Sequence, residues 1–143
     1  NKGITLASAR AALTAFRDAG ILVHAYLMYG FPTQTAREAV AALGHVRRFF
    51  REDLVQSAFF HRFALTVHSP IAQRPEAFGI RVAPPARAGR RRPVFARNEI
   101  PFEEPGAPDW DRIGKGLRLA LYNYMRGAGF SKPLSFWFSP TML

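Results

Sequence analysis

The chain has 143 residues, 48% of them hydrophobic and none of them cysteine. That supplies apolar material for one sizeable core, so one domain or a piece of one is expected. Disulfides and any thiolate metal site are excluded within these residues, and no apolar run approaches the roughly 20 residues of a membrane span.

The net charge of +10 comes from 20 Lys+Arg against 10 Asp+Glu, and it is unevenly placed. Arg81, Arg87, Arg90, Arg91, Arg92 and Arg97 lie in a stretch without acids. Glu99, Glu103, Glu104, Asp109 and Asp111 follow it. Adjacent blocks of opposite sign compensate locally, which weakens a nucleic-acid reading of the raw charge. Asn1-Lys2-Gly3 offers neither an initiator Met nor a signal-peptide h-region, so the sequence reads as an excised segment, with processing or a cloning boundary as alternatives, and the lack of cysteine agrees with an expected cytoplasmic location.

Residues 5–19 predict a helix. Thr5 can cap it, Leu6, Ala9, Leu13 and Phe16 share one face, and Gly20 stops it. Residues 21–29 follow almost without a loop. Their apolar run, broken only by His24, predicts a parallel strand covered on both faces. Gly30 permits an unusual dihedral and Pro32 stiffens the turn. Thr35 and Glu38 have capping-box spacing, so a helix is predicted over 36–51 with Val40, Leu43, Val46 and Phe50 buried. Residues 54–67 are the second strand candidate. The order α-β-α-β predicts an α/β fold with a right-handed parallel crossover.

The rhythm then breaks. A short helical turn is expected near 75–79, short strands at 80–83 and 94–97, and an arginine-rich loop at 84–93. Residues 99–108 read as extended loop. Asp109 caps a helix over 110–126, with Ile113, Leu117, Leu121 and Tyr124 as its apolar stripe. The aromatic tail, residues 130–143, is expected to dock on a neighbouring surface.

None of the four histidines has the spacing of a helical zinc site. His61 and His68, in or after the second strand, are candidates to project into a site or else rim residues. There is no G-x-S-x-G elbow. Gly114-Lys115-Gly116 sits inside a predicted helix and is not a phosphate loop. The arginine loop is either solvated or a phosphate contact, and salt-sensitive RNA or DNA binding lost on neutralising Arg90–Arg92 would favour a basic nucleic-acid- or protein-binding module. The turn after the first strand is either structural or a ligand loop, since α/β proteins place ligands at the carboxyl ends of their strands.

The stretch Tyr26-Leu27-Met28-Tyr29-Gly30-Phe31-Pro32-Thr33-Gln34-Thr35 resembles a late barrel strand and loop of radical S-adenosylmethionine enzymes, which carry G-F/L-P-x-E/Q-T before a helix. Phe63-Ala64-Leu65-Thr66-Val67-His68-Ser69-Pro70 resembles the last barrel strand and its exit. Residues 95–127 look like the C-terminal extension of members with an N-terminal cobalamin-binding domain. The resemblance implies the C-terminal portion of a partial (β/α)6 barrel over 1–80, and a mixed extension over 81–143. It implies S-adenosylmethionine and a [4Fe–4S] cluster in the parent protein, with the cluster cysteines in its N-terminal remainder, and cobalamin in a separate domain as an option. This chain alone would then be inactive. By the same resemblance, Met28 packs against adenine, Gly30, Phe31 and Pro32 shape the wall, Gln34 holds the Glu/Gln position, and Phe63 and Leu65 extend the wall. Plain barrel core is the alternative for each. Thr33 stands where many members have glycine.

Overall fold

A computed structural model of the chain describes residues 3–82 and 98–139. Its helices are α1 (Leu6–Asp18), α2 (Ala36–Arg51), α3 (Pro70–Gln73) and α4 (Trp110–Met125). Its strands are β1 (His24–Tyr29), β2 (Ser57–Arg62), β3 (Arg81–Val82) and β4 (Phe102–Glu103), and 3₁₀ turns cover Pro75–Phe78 and Leu134–Phe138. The architecture is mixed α/β with two small sheets and no closed barrel among the described residues.

β1 and β2 pair in parallel around α2, in the register His24 to Ser57 through Tyr29 to Arg62. The start of β1 is set by the end of α1. Gly20, at φ 73°, lets the Ile21 amide reach back to the Phe16 carbonyl at 2.9 Å. This closes a Schellman-type cap. Ile21 and Leu22 are therefore exposed and outside the strand, although the apolar run predicts a strand from residue 21. Gln56 then fixes the strand entrance, its side-chain oxygen accepting from the Val23 amide at 2.7 Å.

β2 likewise stops short of the predicted residue 67. Beyond Phe63, whose amide bonds the Tyr29 carbonyl, β1 has turned away. The chain changes partner, and Leu65 and Val67 bond Ile100 and Asn98 instead. Residues 99–108, expected to be loop, accordingly supply a bridge at Glu99 and the strand β4, which pairs antiparallel with β3. The expected strand at 94–97, the arginine loop 84–93 and residues 140–143 of the tail lie outside the described residues.

Among the described residues the sheet is covered on one face only. Tyr29, Ala58 and Phe60 are buried against Leu43 and Val46 of α2 and Ile113, Leu117 and Leu121 of α4. On the other face Tyr26, Met28 and Phe59 keep 75%, 53% and 45% of their surface in solvent, so the described residues cover one of the two faces the apolar run predicts to be buried. α4, from the segment assigned to the extension, thus shares one core with β1 and β2. A second cluster, Leu65, Ile71 and Ile80, sits under β3 and β4 with Phe63, Phe78 and Phe102 around it. α1 buries no residue fully. Its expected apolar face leaves Leu6 and Phe16 exposed, and an Arg10–Glu52 ion pair ties it to the end of α2.

Two helical glycines explain the Gly114-Lys115-Gly116 sequence. A Cβ at Gly114 would collide with the Tyr29 phenol, and one at Gly116 would lie 2.5 Å from the Trp137 carbonyl oxygen. Gly116 admits the aromatic tail, which docks as expected. Trp137 Nε1 donates to Tyr124 Oη at 3.0 Å, and Phe130 stacks on the Tyr124 ring at 5.2 Å. No described helix is long and apolar enough to cross a membrane.

Gly114→Ala should gain about 1 kcal/mol of helix propensity and lose about 1–3 kcal/mol to overpacking against a buried tyrosine. A lower urea midpoint is expected, whereas a higher one would show that Tyr29 yields freely. The Thr35–Glu38 capping box forms as its spacing predicts, the Thr35 amide donating to the Glu38 carboxylate at 2.7 Å. The Thr35 amide, and then its hydroxyl, hold the Glu38 carboxyl below its ordinary value of 4.5. A carboxyl depressed in the folded state stabilises above the unfolded pKa and loses that contribution as pH falls through the folded one. Glu38→Gln should therefore flatten the acid limb of a stability–pH curve below about pH 4.5, and an unchanged limb would contradict the assignment.

Candidate functional site

The turn after β1 is built by five constraints. Gly30, at φ 71°, is buried against Trp110. Its amide donates to Gln34 Oε1 at 2.7 Å, so the Gln34 side chain closes the turn on its own backbone. The Gln34 amide returns a bond to the Phe31 carbonyl at 2.8 Å. Pro32 is among the fully buried side chains. Thr33 takes φ 78°, a left-handed conformation that glycine adopts freely and a β-branched residue does not. The turn is as tight as glycine would make it, at the cost of strain.

Glu104 holds this turn from outside. One carboxylate oxygen accepts from the Thr33 amide at 3.0 Å. The other lies 3.4 Å from Nε1 of Trp110, the first residue of α4. A single side chain thus joins the ligand-loop candidate to the helix that buries the sheet. In the sequence Glu104 belongs to an acidic stretch and to the segment resembling the C-terminal extension, with no site role. Nothing in its spacing marks a contact with a residue 71 positions away.

The seven candidate wall residues fall into three environments. Met28 lies on the open face of β1, and Phe31 is exposed at the turn. Gly30, Pro32 and Gln34 form the turn itself, and the Gly30 amide is taken by Gln34 rather than left for a ligand. Phe63 packs edge-on to Phe31 at 5.2 Å and to Phe102 at 5.8 Å. Leu65, 1% exposed, belongs to the second core cluster and presents no surface.

Beside Met28 the open face carries a row of rings. His24, Tyr26 and Met28 of β1 stand opposite Ser57, Phe59 and His61 of β2 in the parallel register. The Tyr26 and His61 rings are stacked, with centroids 5.2 Å apart and planes 12° from parallel. Phe59 meets His61 edge-on at 4.5 Å, and His24 meets Tyr26 edge-on at 5.2 Å. His24 Nδ1 is 2.7 Å from Ser57 Oγ. Of the two histidines singled out from sequence, His61 joins this row, and His68 lies beyond the strand. Tyr26, Phe59 and His24 carried a legible signal, the period-two alternation H-x-Y-x-M against S-x-F-x-H, masked by the apolar residues between them.

The residues present do not fit an iron–sulfur cluster. The chain has no cysteine, and no three His, Asp or Glu side chains among the described residues are placed to hold a metal ion. Comparison with protein-family models, with curated proteins and with solved structures returns no match.

Thr33→Gly removes a left-handed threonine, worth about 1–2 kcal/mol, against about 0.5–1 kcal/mol of added unfolded-chain entropy. The Glu104 bond is to backbone and is retained. A rise of about 0.5–1 kcal/mol in unfolding free energy is expected from urea titration. A loss would mean that the threonine side chain, not its backbone, secures the turn.

Proposed function

We propose that this chain is the closing part of a radical S-adenosylmethionine enzyme barrel, with the open face of β1 and β2 turned to the barrel interior. The supporting observation is the one-sided parallel pair. Helices α2 and α4 cover one face, as helices do on the outside of an α/β barrel. The other face is left to line an interior, with the Gly30–Thr35 turn at the carboxyl end of β1.

In this proposal Met28 and Phe31 offer apolar surface to the adenine of S-adenosylmethionine, a common arrangement for a flat heterocycle. Gln34, by capping the Gly30 amide, fixes the turn, and Glu104 keeps that turn against α4. The cluster, with its three cysteines, is held by residues outside this chain. In the assembled, cytoplasmic protein a cluster held outside this chain would supply the reductive cleavage of S-adenosylmethionine, and this chain alone would be inactive. Any cobalamin is likewise bound elsewhere.

The test is anaerobic expression of the longer reading frame that contains these residues. Three clustered cysteines upstream in C-x-x-x-C-x-x-C spacing, an iron–sulfur chromophore and release of 5′-deoxyadenosine are the expected results. A longer frame without those cysteines would overturn the proposal.

A further inference from the structure

Helix α1 meets α2 without fully burying any of its own residues. Between the two helices lies an open groove of about 390 Å³, lined by Leu6, Ala7, Arg10, His45, Arg48 and Phe49. That volume falls within the roughly 300–1,000 Å³ of small-molecule sites. Helical spacing explains the two walls. Leu6 and Ala7 stand four and three residues before Arg10 on α1, and Arg48 and Phe49 stand three and four residues after His45 on α2. Each set therefore shares one helix face. Ala7 contributes only a methyl group, which leaves room that a longer side chain would fill.

The lining has two parts. Leu6, Ala7 and Phe49 are apolar, whereas Arg10, His45 and Arg48 are basic, and none of the lining residues is an acid. Glu52 approaches from the end of α2, and its carboxylate is ion-paired with Arg10. Arg17, further along α1, is likewise paired, with Asp18. The Arg48 guanidinium has no hydrogen-bond or ion-pair partner among the described residues. A cation without a counterion, set beside apolar surface, is complementary to an anion that carries an apolar tail.

We infer that the groove between α1 and α2 binds a straight-chain carboxylate, with its tail against Leu6, Ala7 and Phe49 and its anionic end on Arg48. The groove is formed by helices and not by the open face of the sheet, so the inference does not rest on the barrel proposal.

The experiment follows the whole chain by NMR, reading the Leu6 and Ala7 methyl signals and the Phe49 ring signals. It is titrated with octanoate, with 1-octanol as the uncharged control and acetate as the control without a tail. Octanoate should shift these signals to saturation. It should bind about fivefold more tightly than 1-octanol, the upper range for one exposed guanidinium–carboxylate pair, and acetate should bind far more weakly than either. Arg48→Gln should lower octanoate to the affinity of 1-octanol. Ala7→Trp, at an exposed helix position, should block both by filling the groove. Equal affinity for octanoate and 1-octanol in the unaltered chain would overturn the inference. So would acetate binding as tightly as octanoate, or octanoate shifts centred on Tyr26 and Met28. Shifts of the groove signals with protein concentration alone would assign the groove to a second copy of this chain. Loss of octanoate binding in the longer protein would assign it to a segment of that protein, and either result overturns the inference. The titration of the unaltered chain decides the matter even if a variant fails to fold. An iron–sulfur chromophore in the longer protein bears on the barrel proposal alone, so either idea can fail without the other.

Discussion

The closeness of α4 to the end of β1 is the constraint on which the rest depends. Tyr29, the last residue of the strand, fills the space that a side chain at Gly114 would occupy. Its hydroxyl accepts a hydrogen bond from Arg118 one turn further along the same helix, at 3.1 Å. Trp110, at the start of that helix, lies under Gly30. Strand end, turn and helix are thereby locked together by three aromatic-lined contacts, and Glu104 adds a polar tie across the same junction. With α4 fixed on this side and α2 beside it, the other side of the sheet is left uncovered among the described residues.

That one-sidedness separates two tasks between alternate residues of the same strands. Leu27, Tyr29, Ala58 and Phe60 give up their surface to the core, where burial of apolar area is the main stabilising term. Tyr26, Met28, Phe59 and His61 keep theirs. A two-stranded sheet has little stability of its own, so the core face must carry the cost of holding an open face in place. The turn shows a similar exchange on a smaller scale. Thr33 is held in a left-handed conformation, and the bonds from Glu104 and Gln34 offset it.

Several elements are legible in the amino-acid sequence. The Thr35–Glu38 box placed the start of α2, Asp109 placed that of α4, and Gly20 placed the end of α1, because each acts through bonds spanning only a few residues. Strand ends are less legible. The runs 21–29 and 54–67 are apolar throughout, and hydropathy does not register that Ile21 completes a helix cap or that Leu65 pairs with Ile100. Of the wall residues, Met28 and Phe31 present surface while Leu65 does not. That difference follows from the change of pairing partner after Phe63.

Local chemistry, then, was determined by the sequence itself: caps, the Gly30–Pro32 turn, the parallel α-β-α-β order and the absence of thiolate ligands all follow from residue types at short spacing. Only the tertiary structure decided which face of the strands is open, that Glu104 reaches Thr33, and that Gly114 exists to admit Tyr29. These are contacts between residues distant along the chain, and one-dimensional periodicity holds no record of which neighbour will cover a given side.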